Sequence, residues 1–178
     1  MMIKYPNILI TGTPGVGKST MAAQVAENCN LQHISVSDLA KENNLFDGYD
    51  DALQCHILDE DKVLDELEDP ISEGGKVVDY HGSSFFPERF FDAVFVLRCN
   101  NTVLHDRLAA RGYTPEKILE NIECEILHVL RDEALENYKP EIVMEVENDT
   151  VDQLEAGVNL ITEWVKAWVR QHDESMEQ

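Results

Sequence analysis

Basic residues are scarce in this sequence. It contains 14 lysines and arginines against 35 aspartates and glutamates, which gives a formal net charge of −21 at pH 7 and an isoelectric point near 4.4. Binding to nucleic-acid phosphates depends on Lys and Arg, which are outnumbered here. The composition therefore predicts no direct binding of bare nucleic acid, whereas long-range attraction would favour a basic protein partner.

Long apolar runs, a secretory signal and paired cysteines are also missing. No run approaches the ~20 apolar residues of a membrane-spanning helix, and residues 1–6 lack the layout of a signal peptide. The spacing of the four cysteines fits neither a zinc site nor a small disulfide framework: Cys29, Cys55, Cys99 and Cys124. We therefore expect no membrane partner and a soluble intracellular protein with reduced thiols.

The remaining composition suits one folded domain. The chain has 178 residues, of which 43% are hydrophobic, and it shows no linker and no internal repeat. We predict a single domain spanning residues 1–178. Acidic residues concentrate between positions 47 and 69, where ten acids accompany one base, Lys62. Charge alone favours a solubilising face there, and the alternative is a site for a basic tail.

The residues from Gly12 to Ser19 read Gly-Thr-Pro-Gly-Val-Gly-Lys-Ser and match the phosphate-binding P-loop pattern at every fixed position. An apolar segment leads into the motif and a helical segment leads out, so backbone N–H groups should converge on one point. Lys18 would reach the β- and γ-phosphates of ATP, and Ser19 would bind Mg²⁺. The predicted nucleotide-binding residues are Thr13, Gly15, Val16, Gly17, Lys18, Ser19 and Thr20.

Strands and helices alternate along the chain. We predict strands at 7–11, 32–35, 76–79, 93–97 and 142–146, and helices at 17–29, near 37–39, and at 59–67, 102–110, 115–137 and from 151 onward. Residues 44–58 look irregular, with Asp47-Gly48 as a turn signal. This alternation predicts an α/β fold with a doubly wound, mostly parallel five-stranded sheet.

A second phosphate-handling element follows the strand at 76–79. A strand-end aspartate beside a P-loop is typical of Mg²⁺ binding in phosphoryl-transfer proteins, so we assign Asp79 to the metal, directly or through water. The alternative is a capping aspartate in a turn. His81 would lie at the same sheet edge, where it could orient a water or an acceptor phosphate. A lone histidine is otherwise a structural group.

Arginines near the predicted site are candidates for neutralising the transferred phosphoryl group. Arg107 and Arg111 lie four residues apart near a helix end and would face the loop at 112–114, which could close over ATP. Arg89 follows the Asp79 strand and could reach an acceptor phosphate. Each arginine could instead form a surface ion pair, an alternative that also applies to Arg98, Arg131 and Arg170.

Together these motifs resemble a small adenylate kinase. The chain is similar to the small nuclear adenylate kinase family, also described as coilin-interacting nuclear ATPase, over roughly residues 6–168. The most specific stretches are the P-loop with its preceding strand, Asp47-Gly48-Tyr49-Asp50, Ile57-Leu58-Asp59-Glu60-Asp61 and Val78-Asp79-Tyr80-His81-Gly82. The resemblance implies a P-loop fold with a short AMP-side segment at about 35–58 and a short lid at about 110–120.

The resemblance also implies function. It implies transfer of the ATP γ-phosphate to AMP with Mg²⁺ as cofactor, ATPase activity, and late maturation of the small ribosomal subunit in the nucleus, with the protein also in the cytoplasm. The implied partner is a basic small-subunit ribosomal protein. Residues on the AMP side would be Ser37, Asp38, Lys41 and Arg89, while Arg111 would contact ATP.

The sequence departs from larger adenylate kinases at several phosphate-facing positions. Ser37 replaces a common glycine, Lys41 replaces an arginine, and Glu123 and Glu125 stand where larger members place arginines. Fewer cations favour weaker phosphotransfer and leave room for water as the acceptor. Three hypotheses follow: an adenylate kinase, an ATP-driven assembly switch that binds a basic ribosomal protein, and a kinase for another small metabolite.

Overall fold

A computed structural model describes residues 4–52 and 55–174. Its strands are β1 (Ile8–Thr11), β2 (Gln32–Ser35), β3 (Phe46–Asp50), β4 (Cys55–Leu58), β5 (Lys76–Asp79), β6 (Ala93–Arg98) and β7 (Val143–Glu147). Its α-helices are α1 (Lys18–Cys29), α2 (Val36–Asn43), α3 (Glu60–Glu73), α4 (Asn101–Ala110), α5 (Pro115–Ile126), α6 (Val129–Asn137) and α7 (Val151–Glu174). Short 3₁₀ turns occupy Glu88–Phe90 and Pro140–Ile142.

Five strands form one parallel sheet in the order β2-β5-β1-β6-β7. The predicted α/β class and the doubly wound five-stranded sheet are thereby confirmed. Ile10 pairs with Asp79 and Thr11 pairs with Val96, so β1, β5 and β6 end at one edge. Because the carboxyl ends of parallel strands share an edge, the loops that follow β1 and β5 are brought together there.

Each face of the sheet is covered by its own core. Ile8 and Ile10 pack toward α1, α4 and α7, whereas Leu9, between them, packs toward α2, α3 and α6. Successive side chains of a strand point to opposite faces, so one short apolar run serves both cores. All three side chains are fully buried, which explains why β1 lacks the alternation of polar and apolar residues seen in half-exposed strands.

The prediction of irregular structure at residues 44–58 is wrong. Phe46–Asp50 and Cys55–Leu58 pair as an antiparallel hairpin, which forms a two-stranded sheet of its own. The register shifts between Phe46 and Tyr49, where Gly48 has a φ of 105°. The Asp47-Gly48 pair, interpreted as a turn signal, instead forms a bulge inside the strand.

The prediction of one helix from 115 to 137 is also wrong, because the chain breaks between α5 and α6. His128 has a φ of 55° and precedes the second helix. The Arg98 Nη2 group donates to the Glu125 carbonyl at 2.8 Å, at the end of the first helix. An uninterrupted helix would use that carbonyl for the N–H of Val129, so the arginine from β6 helps to end α5.

The closing helix α7 packs as its amphipathic stripe predicts. Val158, Ile161 and Val165 are buried in the core, although Val151 at the start of the stripe is 79% exposed. None of the helices in the described part of the chain is both long and apolar enough to cross a membrane.

Ile161→Ala should lower the free energy of unfolding by about 2–5 kcal/mol, because a fully buried aliphatic side chain leaves a cavity when truncated. Leu160→Ala is the matched control on the same helix, since Leu160 is 51% exposed. Urea denaturation of the two variants measures the difference. Equal losses of stability in both would contradict the packing of α7 described here.

Candidate active site

The loop between β1 and α1 is shaped to receive an anion. Gly15 and Gly17 have φ values of 94° and 97°, a backbone conformation that residues with a side chain rarely adopt. A Cβ on Gly17 would also lie 2.6 Å from Asn148 Nδ2. Helix α1 begins at Lys18 without a side-chain cap, so its first-turn N–H groups face the loop opening. Such uncapped N–H groups and the helix dipole favour a bound phosphate.

Two side chains hold this loop from behind. The Val16 carbonyl accepts from Asn148 Nδ2 at 2.8 Å and from Arg107 Nη1 at 3.3 Å. Arg107 Nη2 also donates to the Asp149 carbonyl at 3.4 Å. Asn148 directly follows β7 and was not predicted as a site residue. Arg107 was predicted to neutralise the charge of the transferred phosphoryl group, but the structure places its guanidinium against the loop backbone.

Lys18 folds back over the loop. Its Nζ donates to the carbonyls of Gly12 at 2.8 Å and Thr13 at 3.2 Å. Burial, together with the nearby Arg111, lowers the pKa of Lys18 to about 8, against the opposing effects of Asp79 and Glu125. The ammonium is therefore mostly charged at pH 7 and loses its charge as the pH rises through about 8. A phosphate entering the loop would replace the two carbonyls as its partner.

Asp79 lies next to the P-loop, as the sequence predicts. Ser19 Oγ donates to Asp79 Oδ1 at 3.1 Å, and Asp79 Oδ2 contacts His33 Nε2. A hydroxyl and a carboxylate are hard oxygen donors, and Mg²⁺ commonly takes one or two such protein ligands and completes its shell with phosphates and water. The pair Ser19 and Asp79 fits that requirement. Within residues 4–52 and 55–174, no three or more His, Cys, Asp or Glu side chains form a cluster that could hold a metal ion. A bound Mg²⁺ would therefore take its other ligands from the nucleotide phosphates and from water.

His81 lines a cleft together with Lys18, Ser19 and Asp79, and the centre of the Tyr80 ring lies 4.2 Å from the centre of its ring. Its own carbonyl accepts from Thr11 Oγ1 at 2.9 Å, which fixes the backbone after β5. Loss of hydration within the cleft, together with the Lys18 charge, lowers the pKa of His81 to about 4, while Glu133 opposes the shift. The imidazole is thus neutral at pH 7 and has one donor and one acceptor nitrogen.

One cleft of about 930 Å³ contains most of the predicted site. It is lined by the P-loop, by the ends of β2 and β5, by α2, by the β3–β4 hairpin and by one side of α5. The predicted residues that line it are Gly15, Gly17, Lys18, Ser19, Ser37, Asp38, Lys41, Asp79, His81 and Arg111. Thr13 and Val16 are fully buried within the loop, and the Val16 N–H already donates to the Thr13 carbonyl at 3.3 Å, so neither side chain is available to an anion.

A smaller cavity of about 400 Å³ lies on the other side of the P-loop. It shares Gly15, Gly17 and Arg111 with the main cleft, and its other walls include Thr20, Arg107, Asn148, Thr150 and Leu154. Arg111 thus lies at the boundary of both spaces. A ligand with a phosphate chain on the P-loop could extend into either of them.

Arg89 is outside the residues that line either cavity. Its Nη2 lies 2.7 Å from Glu68 Oε1, and its guanidinium lies 5.0 Å from the centre of the Phe90 ring. The two charged side chains are 65% and 49% exposed. The structure therefore does not bring Arg89 together with the other predicted residues on the acceptor side.

From the sequence, Glu125 was noted only as a replacement for an arginine at a phosphate-facing position, and neither its buried contacts nor His33 was predicted. Glu125 is 3% exposed and is paired with Arg98, which was considered only as a surface ion-pair partner. His33 is on β2, next to Asp79 on β5. Both contacts join segments far apart in sequence, so neither is signalled by local spacing.

Solved structures with the same fold are P-loop kinases. Shikimate kinase from Bacteroides thetaiotaomicron superposes with a TM-score of 0.59 at 17% identity, covering 90% of this chain and 98% of that one. A gluconokinase from Sinorhizobium meliloti 1021 gives a TM-score of 0.55 at 20% identity, covering 93% and 98%. At these identities the likeness shows the fold and not the substrate.

Sequence comparisons identify the family. A family model described as an AAA domain matches residues 8–128. The adenylate kinase isoenzyme 6 homologs of Dictyostelium discoideum and Caenorhabditis elegans are each 49% identical to this chain, covering 94% and 98% of it and 96% of either relative. The Saccharomyces cerevisiae homolog FAP7 is 44% identical over 96% of this chain and 87% of its own. The chain therefore belongs to the family of adenylate kinase isoenzyme 6 homologs.

Proposed function

We propose that this protein transfers the γ-phosphate of Mg·ATP to AMP. The observation that carries the proposal is the main cleft of about 930 Å³, in which the P-loop and the acceptor-side residues Ser37, Asp38 and Lys41 face a common space. A nucleotide with its phosphates on the P-loop and a second nucleotide on these acceptor-side residues would meet at Lys18 and Asp79. The name adenylate kinase, which the relatives carry, supports the same reaction.

The donor and acceptor regions follow from this arrangement. The ATP phosphates would occupy the P-loop, and the adenosine would extend into the smaller cavity beside Arg107 and Arg111. AMP would be bound by the segment at about 35–58, in which the hairpin residues Phe46 and His56 line the cleft. The segment at about 110–120, with Arg111 and Tyr113, would act as a short lid.

The reaction requires positioning and charge neutralisation and forms no bond to the protein. An oxygen of the AMP phosphate attacks the γ-phosphorus, and the bond to the β-phosphate oxygen breaks with release of ADP. Lys18 and Arg111 would neutralise the transferred group, and Arg107 would keep the Val16 carbonyl turned away from it. When bound by Ser19 and Asp79, Mg²⁺ supplies electrostatic stabilisation of the phosphate oxygens.

Lys18→Ala should reduce phosphotransfer at least 100-fold, because the cleft loses the cation that lies within the phosphate loop. The assay supplies ADP and Mg²⁺ alone and measures the ATP and AMP formed. Lys166→Ala, on the exposed surface of α7, is the matched control and should be as active as the unmodified chain. No ATP and AMP from the unmodified protein would refute the kinase proposal.

A second candidate function is ATP hydrolysis that drives an assembly step. Two observations favour it. Arg89 pairs with Glu68 outside the cleft, which leaves Lys41 as the acceptor-side cation among the predicted residues. His81 is neutral in the cleft beside Lys18 and could accept a hydrogen bond from an attacking water. Water would then compete with AMP as the phosphate acceptor.

If His81 orients that water, His81→Ala should lower ATP hydrolysis measured without AMP by about 10–100-fold. ATP analogue binding should change little, because the P-loop contacts remain. His105→Ala, at an exposed position on α4, serves as the control. Hydrolysis at the unmodified rate in His81→Ala would remove this role for the imidazole.

We further propose that the protein acts in maturation of the small ribosomal subunit, in the nucleus and also in the cytoplasm, bound to a basic ribosomal protein. The family resemblance and the acidic surface support this. Asp61, Asp65, Glu66 and Asp69 are exposed on α3, which packs with α2, the helix that carries the acceptor-side residues. A basic tail held there would lie near the nucleotide, so binding and ATP turnover could influence one another.

Replacing Asp65, Glu66 and Asp69 by Asn, Gln and Asn should weaken binding of ribosomal proteins extracted from small subunits, and binding should fall as salt increases. The matched control neutralises Asp152, Glu155 and Asp173 on α7, which are also exposed. Affinity measured by sedimentation or pull-down distinguishes the two variants. Equal weakening in both would indicate a response to net charge and not to this face.

A further inference from the structure

A buried carboxylate joins the P-loop to the lid-side helix. Glu125, on α5, is 3% exposed. Its Oε1 accepts from Thr13 Oγ1 at 3.3 Å and lies 3.3 Å from Arg98 Nε, while its Oε2 accepts from the Cys99 N–H at 2.9 Å. A carboxylate this far from water requires partners, and here it takes them from the P-loop and from the end of β6.

Thr13 connects this carboxylate to the phosphate-binding lysine. Its side chain donates to Glu125, while its carbonyl accepts from Lys18 Nζ at 3.2 Å and from the Val16 N–H at 3.3 Å. A phosphate that attracts Lys18 would remove one of these contacts. The hydroxyl bond to Glu125 does not involve the lysine, so it would persist and hold the loop in place.

The same helix also lines the cleft. Lys117, Asn121 and Cys124 of α5 face the main cleft, and Glu125 follows directly in the sequence. Arg98 donates to the Glu125 backbone carbonyl as well, so both the end of α5 and its buried side chain are fixed to β6. The position of α5 and the shape of the P-loop are therefore mechanically linked.

We propose that Glu125 is a positioning residue for phosphoryl transfer, which fixes the P-loop backbone against α5 through the hydroxyl of Thr13. Lys18 can then move from the loop carbonyls to the nucleotide phosphates while the loop keeps its shape. The inference rests on the proposed kinase function. Displacement of reacting groups by ~1 Å can reduce a rate about 100-fold, so a modest relaxation of the loop is measurable.

Thr13→Val removes the hydroxyl and keeps the shape of the side chain, whereas Thr13→Ser keeps the hydroxyl. We expect Thr13→Val to lower kcat/KM for ATP about tenfold and to weaken binding of a fluorescent ATP analogue, with an unchanged KM for AMP. Tm should fall slightly, because the buried carboxylate loses one of its partners. Thr13→Ser should restore most of the loss. Thr162→Val, which removes a buried hydroxyl on α7, is the control and should not alter kinetics.

Glu125→Met removes both acceptor oxygens and keeps a side chain of similar length. If the carboxylate acts through Thr13, the double variant with Thr13→Val should be no slower than Glu125→Met alone, because both changes remove the same hydrogen bond. A further loss in the double variant would overturn the proposal. It would also be overturned if Thr13→Val had the kinetics and analogue affinity of the unmodified protein, or if Thr13→Ser were as impaired as Thr13→Val. Where Glu125→Met fails to fold, the two Thr13 variants decide.

Analogue binding separates this proposal from the kinase proposal. An unmodified protein that binds the analogue yet forms no ATP from ADP would refute phosphotransfer alone. The positioning role would then be judged by the affinities of Thr13→Val and Thr13→Ser, where equal affinities would refute it.

Discussion

Anion binding by the phosphate loop depends on the direction in which the carbonyl groups of the loop are held. The Val16 carbonyl is turned outward by Asn148 and Arg107, and the Gly12 and Thr13 carbonyls are occupied by Lys18. With the carbonyl dipoles paired in this way, the uncapped N–H groups at the start of α1 are the groups left to face an anion. Conformational freedom at Gly15 and Gly17 permits this arrangement, and side chains from distant segments select it.

Basic side chains are concentrated in the main cleft, whereas the molecule as a whole is strongly acidic. The chain carries a formal charge of −21, yet Lys18, Lys41, Arg111 and Lys117 all line one cavity. Nucleotide phosphates would meet local cations there despite the repulsive surface. The desolvated Lys18 contributes to this contrast, because its lowered pKa reflects an ammonium held away from water before any phosphate neutralises it.

The sequence is sufficient to predict the parts of the site that are local in the chain. The P-loop is one contiguous motif, and Asp79 ends a strand that the parallel sheet brings next to β1, so both are predictable from the sequence alone. Asn148, Glu125 and His33 could not, because each makes its contact across the fold. Their roles depend on strand order and helix position, which spacing along the chain does not encode.

Local signals were also overridden by tertiary contacts. Helical periodicity continues past residue 126, but the Arg98 guanidinium takes the carbonyl that the next turn would need. The Asp47-Gly48 pair has the composition of a turn, but the neighbouring strand pairs on both sides of it. Arg89 has the correct place in the chain for an acceptor-side cation, and a nearby carboxylate on α3 holds it elsewhere.

The β3–β4 hairpin has a mechanical consequence. Among the described residues its two strands pair with each other and not with the main sheet, and a hydrogen bond of 2.9 Å from the Asp59 N–H to the Leu45 carbonyl closes its base. Leu45 is buried in the core on one face of the main sheet, and Phe46 and Leu58 pack against that core, whereas Tyr49 and Ile57 are exposed. The hairpin is therefore anchored at its base, and because the main sheet includes neither of its strands, a change in its outer part leaves every hydrogen bond of that sheet in place.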